Sequence, residues 1–253
     1  MKVIYVFVAI AAISLGMRAR EQTHRHYDTD DEDVLRQFVP NHHPAPYAVT
    51  RSLDYSTDGK HALRFEVRHN DVAVDLKGKT SFRSELFDYF PAPFKKISRY
   101  SFELLIPQDF PIENKRLVVG QWWCRPDKGE GRRSPALAQR FINGTFSLTM
   151  RHHDEKIMTG NYGHKKILYE NKNFPLGLWN HFVYDIHWSY KNDGMVKVWL
   201  NGNLIVHYVG PVGYNDDLGP YLKIGIYRAN SEKTYVVYFK NIYVFSPLYL
   251  EGV

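Results

Sequence analysis

Apolar and polar residues alternate along this chain in a series of short runs. A period of two is typical of β-strands that bury one face. In residues 62–68, for example, Leu63, Phe65 and Val67 are predicted to point inward. Similar runs occupy residues 81–89, 97–106, 116–124, 136–142, 145–152, 180–188, 195–200, 204–209, 221–230 and 235–245. No amphipathic helix of useful length is predicted.

Turn-forming residues separate these runs. Asn143-Gly144 and Asn201-Gly202 are typical of two-residue hairpins, because a type I′ turn needs positive φ at both central positions. They pair 136–142 with 145–152, and 195–200 with 204–209. Many short strands joined by hairpins within about 200 residues predict an all-β fold, most naturally a two-sheet antiparallel jelly roll.

The first fifty residues have a different character. Residues 1–19 are predicted to be a secretory signal, because Lys2 precedes an apolar run over 3–15 that is too short to span a membrane. The mature chain is therefore expected to be secreted or periplasmic, without a membrane segment. Residues 20–50 are polar and without clear periodicity, so they are predicted to form a flexible lead-in to one domain over 51–253. Histidines in this lead-in are more typical of a solvated tail than of a metal site.

Charge and cysteine content narrow the function classes. The chain carries a net charge of +6, and residues 51–253 alone hold 28 basic against 21 acidic side chains. This excess favours a polyanionic partner such as an acidic polysaccharide. A nucleic-acid partner is not expected, because the basic residues are scattered and the chain is predicted to be exported. Cys124 is the only cysteine, so an internal disulfide is excluded. Cys124 is predicted to be a small buried side chain beside Trp122.

Residues 221–230 contain the first candidate chemistry. Alternation places Tyr221, Lys223, Gly225 and Tyr227 on one face of a strand. Two phenols and an ammonium suit an anionic polymer and proton transfer at its sugar ring, and the glycine would let a ligand approach the backbone. A merely solvated polar face is the ordinary alternative. The opposite, core-facing residues would be Leu222, Ile224 and Ile226, joined from other strands by Val118 and Trp122.

Two further stretches carry side chains of related chemistry. Arg83 and Glu85 share one face of their strand, so a guanidinium fork and a carboxylate would project together. A surface ion pair is the ordinary alternative. Gln121 and Trp123 likewise share a face, opposite Trp122.

Together these three stretches resemble motifs of the polysaccharide lyases with a concanavalin-like jelly roll. In the alginate-lyase branch, Arg-x-Glu-Leu, Gln-Ile-His and Tyr-Phe-Lys-Ala-Gly-x-Tyr strands line one cleft, and residues 83–86, 121–123 and 221–227 match them in order. The heparin-lyase and glucuronan-lyase branches are closer still, because a Pro-x-Leu-Ala strand and an Asn-Gly hairpin follow the second motif, as in residues 135–144. The resemblance covers residues 58–245.

This resemblance implies a concave substrate cleft and cleavage of a uronate-containing polysaccharide by β-elimination. Arg83 and Gln121 would neutralise the uronate carboxylate, and Tyr227 would transfer protons at the scissile bond. The implied substrate-binding residues are Glu85, Trp123, Arg140, Tyr221 and Lys223. No catalytic metal is implied, a structural calcium ion is left open, and a monomer is expected.

One departure from the motif bears on activity. Trp123 stands where the alginate-lyase motif has histidine. Either Tyr227 serves as both base and acid, or His152 or His207 takes the base role, or activity is weakened or lost.

Two other function classes remain open from the sequence. A non-catalytic carbohydrate-binding protein on the same fold would use Trp123 and Trp199 as stacking platforms. A glycoside hydrolase would need two carboxylates at a fixed separation, whereas Asp154-Glu155 is predicted to lie in a turn.

Overall fold

The computed structural model describes residues 22–74, 78–131, 133–160 and 163–247, so the predicted signal over residues 1–19 lies outside the described residues. The strands are β1 (Gln22–Tyr27), β2 (Val39–His42), β3 (Val49–Ser52), β4 (Ala62–Val67), β5 (Ala73–Val74), β6 (Thr80–Phe87), β7 (Ile97–Leu105), β8 (Leu117–Trp123), β9 (Leu137–Ile142), β10 (Thr145–His153), β11 (His164–Asn171), β12 (Trp179–His187), β13 (Met195–Leu200), β14 (Asn203–Val209), β15 (Gly213–Tyr214), β16 (Tyr221–Arg228) and β17 (Tyr235–Pro247). One short 3-10 helix spans Val34–Gln37. Within the described residues, no helix is long and apolar enough to cross a membrane.

The strands form two sheets. One has the order β14-β13-β12-β7-β17-β4-β3, with β1 also paired to β17. The other has the order β11-β10-β9-β8-β16-β6-β2, with β15 and β5 added to β10 and β6. We call them the eight-stranded and the nine-stranded sheet. Apart from the short parallel β10–β15 pair, the pairings are antiparallel, which confirms the predicted all-β sandwich of jelly-roll type.

Both Asn-Gly hairpins form as predicted. Asn143 and Gly144 have φ values of 51° and 74°, and Asn201 and Gly202 have 50° and 81°. These positive values are the ones that type I′ turns require. The turns fix β9 against β10 and β13 against β14.

The prediction that residues 20–50 form a lead-in outside the domain is wrong. β1 pairs with the second half of β17, β2 pairs with β6, and β3 pairs with β4. The stretch therefore adds strands to both sheets. Its strands are short, and two of them close sheet edges, where polar side chains and a proline such as Pro40 are tolerated.

The core lies between the two sheets. Leu222, Ile224, Ile226 and Trp122 are buried within it, as the alternation predicted. Cys124 is also buried, and burial raises the pKa of its thiol well above the ordinary value, which suits an inert side chain.

A β-bulge interrupts this alternation. The register between β16 and β8 shifts between Ile224 and Tyr227, and the register between β8 and β9 shifts between Val118 and Gly120. Val118, predicted to join the core, is buried but lies opposite Tyr227, while Leu117 and Val119 pack in the core. A bulge changes the face on which the following side chains lie. Arg116 and Val118, before the bulge, therefore lie on the same face as Gln121 and Trp123, after it.

Gly225 sits at this bulge with φ of 112°, a backbone conformation that favours glycine. A Cβ here would collide with the carbonyl oxygen of Ser84 and lie 2.6 Å from Cδ1 of Phe65. Close approach of the protein's own backbone, rather than of a ligand, therefore explains the glycine that the sequence pattern singled out.

Gly225→Ala is expected to destabilise the fold by roughly 2–5 kcal/mol, because it combines a strained φ with overpacking of the core. Urea unfolding measures the change in the free energy of unfolding. Gly129→Ala is a matched control, since Gly129 has φ of 93° but no atom within 4 Å of the new Cβ. Equal losses in the two variants would show that contact with Ser84 and Phe65 is unimportant.

Candidate active site

Four neighbouring strands bring the predicted site residues to the outer face of the nine-stranded sheet. Across β6, β16, β8 and β9, one continuous row of Cα partners runs Arg83, Tyr227, Val118, Arg140. A second row crosses β16 at Lys223, four residues before Tyr227, and there Lys223 pairs with Gln121 of β8. Side chains at aligned positions of neighbouring strands share a face, so residues far apart in the sequence converge here.

Glu85 links several of these side chains. It is 2% exposed and accepts hydrogen bonds from Gln121 Nε2 and, at 3.4 Å, from Arg83 Nη1. Arg83 Nε donates to Ser81 Oγ at 2.6 Å. These bonds fix the direction of the guanidinium and of the Gln121 amide, which retains a second N–H donor. Glu85 thus orients the two residues that were predicted to receive a carboxylate.

Tyr227 lies against two guanidinium groups. The Cζ atoms of Arg83 and Arg116 are 4.5 Å and 4.6 Å from its ring centroid. Tyr227 is partly exposed, so its hydroxyl belongs to the open face rather than to the core. These cation–π contacts hold the ring in place, and its hydroxyl can donate or accept a proton, which suits a tyrosine that exchanges protons with an anionic ligand.

Lys223 is 6% exposed and lies among aromatic rings. Its Nζ is 5.4 Å from the ring centroids of Phe87 and Trp123 and 5.7 Å from that of Tyr221. Burial, reinforced by the charge of nearby Arg83 and opposed by that of Glu85, lowers the pKa of Lys223. Burial also raises the pKa of the Tyr221 phenol, which therefore remains neutral.

Lys223→Met is expected to raise the free energy of unfolding, on the order of 1 kcal/mol, and to weaken substrate binding. The first effect arises because the buried ammonium is costly, and the second because its charge is lost. A lysine with a lowered native pKa binds fewer protons when folded, so wild-type stability rises with pH and the variant's advantage shrinks as pH approaches about 10.4. Thermal unfolding across pH measures this.

The exposed Lys172→Met is the matched control and is expected to leave stability nearly unchanged. A loss of stability on Lys223→Met would show instead that pairing of Lys223 with Glu85 outweighs desolvation.

Sequence reasoning missed Asn41, Arg116 and Arg151. Asn41 lies on β2 opposite Glu85, within the segment predicted to be a lead-in. With its amide turned so that the oxygen faces its donor neighbours, Asn41 accepts hydrogen bonds from Arg83 Nη1 at 2.9 Å and Lys223 Nζ at 3.1 Å. A four-residue edge strand has too few positions to show alternation, so no sequence signal pointed to it.

The histidine alternatives lie elsewhere. His207 is on β14 of the eight-stranded sheet, so it does not share the face of Tyr227. His152 follows the core-facing Met150 in the alternation of β10 and stacks on His164, with ring centroids 5.1 Å apart. Burial and His164 lower the pKa of His152. Within the described part of the chain, no contact joins either histidine to Tyr227.

Two other sequence expectations also have clear positions. Trp199 lies on β13 of the eight-stranded sheet and therefore does not form one platform with Trp123. Asp154 follows β10, outside any strand, and its side chain is 85% exposed.

Three carboxylates, those of Asp127, Glu130 and Asp216, lie close enough together to be considered for a metal ion. The Arg133 guanidinium pairs with both Glu130 and Asp216, and Lys156 Nζ is 2.8 Å from Asp127. Each carboxylate of this cluster is therefore already paired with a cation of the chain, and the arrangement does not fit an open calcium site.

Comparison with known families is decisive for the class of protein. A family model described as "Polysaccharide lyase" matches residues 21–243. The chain belongs to this polysaccharide lyase family. The match begins at residue 21, which agrees with the strands that residues 22–50 contribute to the lyase sandwich.

Solved structures share the fold of this lyase. An endo-β-1,4-glucuronan lyase from the fungus Trichoderma reesei aligns with a TM-score of 0.64 and 15% identity, covering 82% of this chain and 94% of that one. The alginate lyase PA1167 from Pseudomonas aeruginosa has a TM-score of 0.53 and 18% identity, covering 85% and 99%. The alginate lyase AlyC3 has a TM-score of 0.54 and 14% identity, and the alignment covers 85% of this chain and 92% of that one. No curated protein sequence matches the chain significantly.

Proposed function

We propose that this lyase cleaves a uronate-containing anionic polysaccharide by β-elimination on the outer face of the nine-stranded sheet. The observation that carries the proposal is the contact of Arg83 with both Tyr227 and the Glu85–Gln121 pair. A carboxylate-binding fork thus lies beside a group capable of proton transfer. The T. reesei and P. aeruginosa proteins, named as glucuronan and alginate lyases, support a substrate of this class.

The chemistry requires these residue types. Loss of the proton next to a uronate carboxylate builds negative charge on that carboxylate, and Arg83 and Gln121 would stabilise it with hydrogen bonds. Tyr227, as phenolate, would take the proton and then, as phenol, protonate the leaving glycosidic oxygen. A bond from the ring to that oxygen breaks while a carbon–carbon double bond forms.

A single residue in both roles constrains the stereochemistry. Since Tyr227 approaches from one side of the sugar, the elimination would be syn. The configuration of glucuronate at C4 and C5 places the leaving oxygen and the proton on the same side of the ring. A glucuronan, the substrate named for the T. reesei neighbour, is therefore the substrate we favour. We also propose that the enzyme is secreted, on the evidence of the apolar run after Lys2.

Incubation with glucuronan, alginate and heparin tests the function. The ultraviolet absorbance of the unsaturated product is expected to rise with glucuronan first. Binding of these polymers without any unsaturated product would support the alternative function, a carbohydrate-binding protein in which Trp123 has replaced a catalytic histidine.

A further inference from the structure

Three arginines flank Tyr227 on the side away from Glu85. Arg116 contacts the Tyr227 ring, Arg140 lies one strand beyond Val118, and Arg151 follows on β10. Arg140 Nε donates to Thr149 Oγ1 at 2.9 Å, and Arg151 Nη1 donates to the Gly163 carbonyl oxygen at 2.7 Å. Neutral oxygens thus fix the direction of two guanidinium groups and leave their charges in place.

No acidic side chain balances this arginine cluster, defined as Arg116, Arg140 and Arg151. In the described ranges, no carboxylate lies within 4.0 Å of any of the three, although Arg25, Arg99 and Arg133 elsewhere all have acidic partners. Burial and the like charges of Arg151 and Arg116 lower the pKa of Arg140 to about 10. Like charges held together at a cost to stability are typical of a site built for an opposite charge.

Two members of the cluster, Arg140 and Arg151, are also too far from Arg83 to bind the carboxylate of the same sugar, whereas Arg116 lies beside Tyr227. Arg83 and Arg140 are aligned across three strand steps, and neighbouring strands are spaced about 4.8 Å apart. Their Cα atoms are therefore separated by roughly 14 Å. That separation exceeds the width of one sugar ring. An anion held by Arg140 therefore belongs to a neighbouring sugar.

We propose that Arg116, Arg140 and Arg151 form a second anion-binding subsite, which holds the carboxylate or sulfate of a sugar adjacent to the one that reacts. This inference rests on the proposed function and narrows the class of polymer that the enzyme would accept. The enzyme would require anionic groups on consecutive sugars. A polymer that alternates uronates with uncharged sugars would bind weakly.

The test uses Arg151→Gln, because Arg151 has no described contact with Tyr227 and glutamine can keep a hydrogen bond to Gly163. Titration of polyglucuronate is performed in a Tyr227→Phe background, so that the polymer stays intact. Loss of one charge-assisted contact is expected to raise Kd about tenfold. With Tyr227 present, KM is expected to rise similarly while kcat stays within twofold. Arg116→Gln provides a second variant, expected to raise Kd by the same order.

Arg36→Gln removes one charge from a side chain that is 83% exposed and outside the site, and it is the matched control. Equal Kd values for Arg151→Gln, Arg116→Gln and this control would overturn the subsite. Polyglucuronate with a fraction of its carboxylates reduced to alcohols, compared with heparin and desulfated heparin, distinguishes carboxylate from sulfate. Unchanged affinity of the Tyr227→Phe protein for every charge-depleted polymer would also overturn it. A fall in affinity on Arg151→Gln, combined with no unsaturated product from the wild type, would refute elimination and leave the subsite standing.

Discussion

Tyr227→Phe is expected to lower kcat on the cleaved uronan by on the order of a hundredfold or more, with little change in binding. The variant removes the only transferable proton of this side chain, and loss of general acid–base catalysis has this magnitude. The ring remains, so packing against Arg83 and Arg116 persists. Initial rates of unsaturated-product formation give kcat, and polymer titration gives Kd.

The control for this variant is Tyr243→Phe. Tyr243 lies on β17 of the eight-stranded sheet, where it stacks on His26, and its loss of a hydroxyl is expected to leave kcat unchanged. His152→Ala is measured in parallel. Full activity of Tyr227→Phe together with an inactive His152→Ala would assign the base to histidine and refute the role proposed for tyrosine.

The strands that sequence reasoning found and missed differ in how they bury side chains. β7, β12 and β13 bury mainly one face, so their apolar residues alternate visibly. β11 is an edge strand whose residues are exposed or partly exposed throughout, and it carries Lys165 and Lys166 where an apolar pattern would be needed. Charges on edge strands protect a sheet from pairing with other molecules. The same charges remove the apolar alternation from which a strand is predicted.

The site was predictable only as far as one strand's alternation extends. Arg83 with Glu85, and Lys223 with Tyr227, share a face because each pair is separated by an even number of residues. The pairing of Tyr227 with Val118 depends on the bulge near Gly225, which shifts the register and which alternation does not reveal. The contact of Arg116 with Tyr227 follows from that shift and was therefore missed.

The aromatic surroundings of Lys223 also combine predicted and unpredicted elements. Tyr221 and Trp123 were expected near it, and the register of β16 with β8 places them side by side. Phe87 and Asn41 come from β6 and β2, whose order beside β16 is a property of the whole sheet. Residue type identified the chemistry, and long-range strand order determined which side chains surround it.

Arg83→Lys is expected to lower kcat/KM on a uronan by roughly a hundredfold, the scale of removing one donor that stabilises developing negative charge. Arg83 contacts Ser81, Glu85, Asn41 and the Tyr227 ring with different parts of one planar group. A lysine ammonium is a point charge and reproduces neither this set of contacts nor a bidentate bond to a carboxylate.

The measurement for Arg83→Lys is kcat/KM at several salt concentrations. Both proteins are expected to lose affinity as salt rises, because binding of a polyanion by a basic face is screened. The matched control is Arg99→Lys on the eight-stranded sheet, where Arg99 makes two 2.6 Å bonds to Asp185. That change breaks a similar fork far from Tyr227 and is expected to leave kcat/KM unchanged. Equal turnover by Arg83→Lys and the wild type would show that Arg83 supplies only charge, and the fork geometry held by Glu85 would then have no part in the reaction.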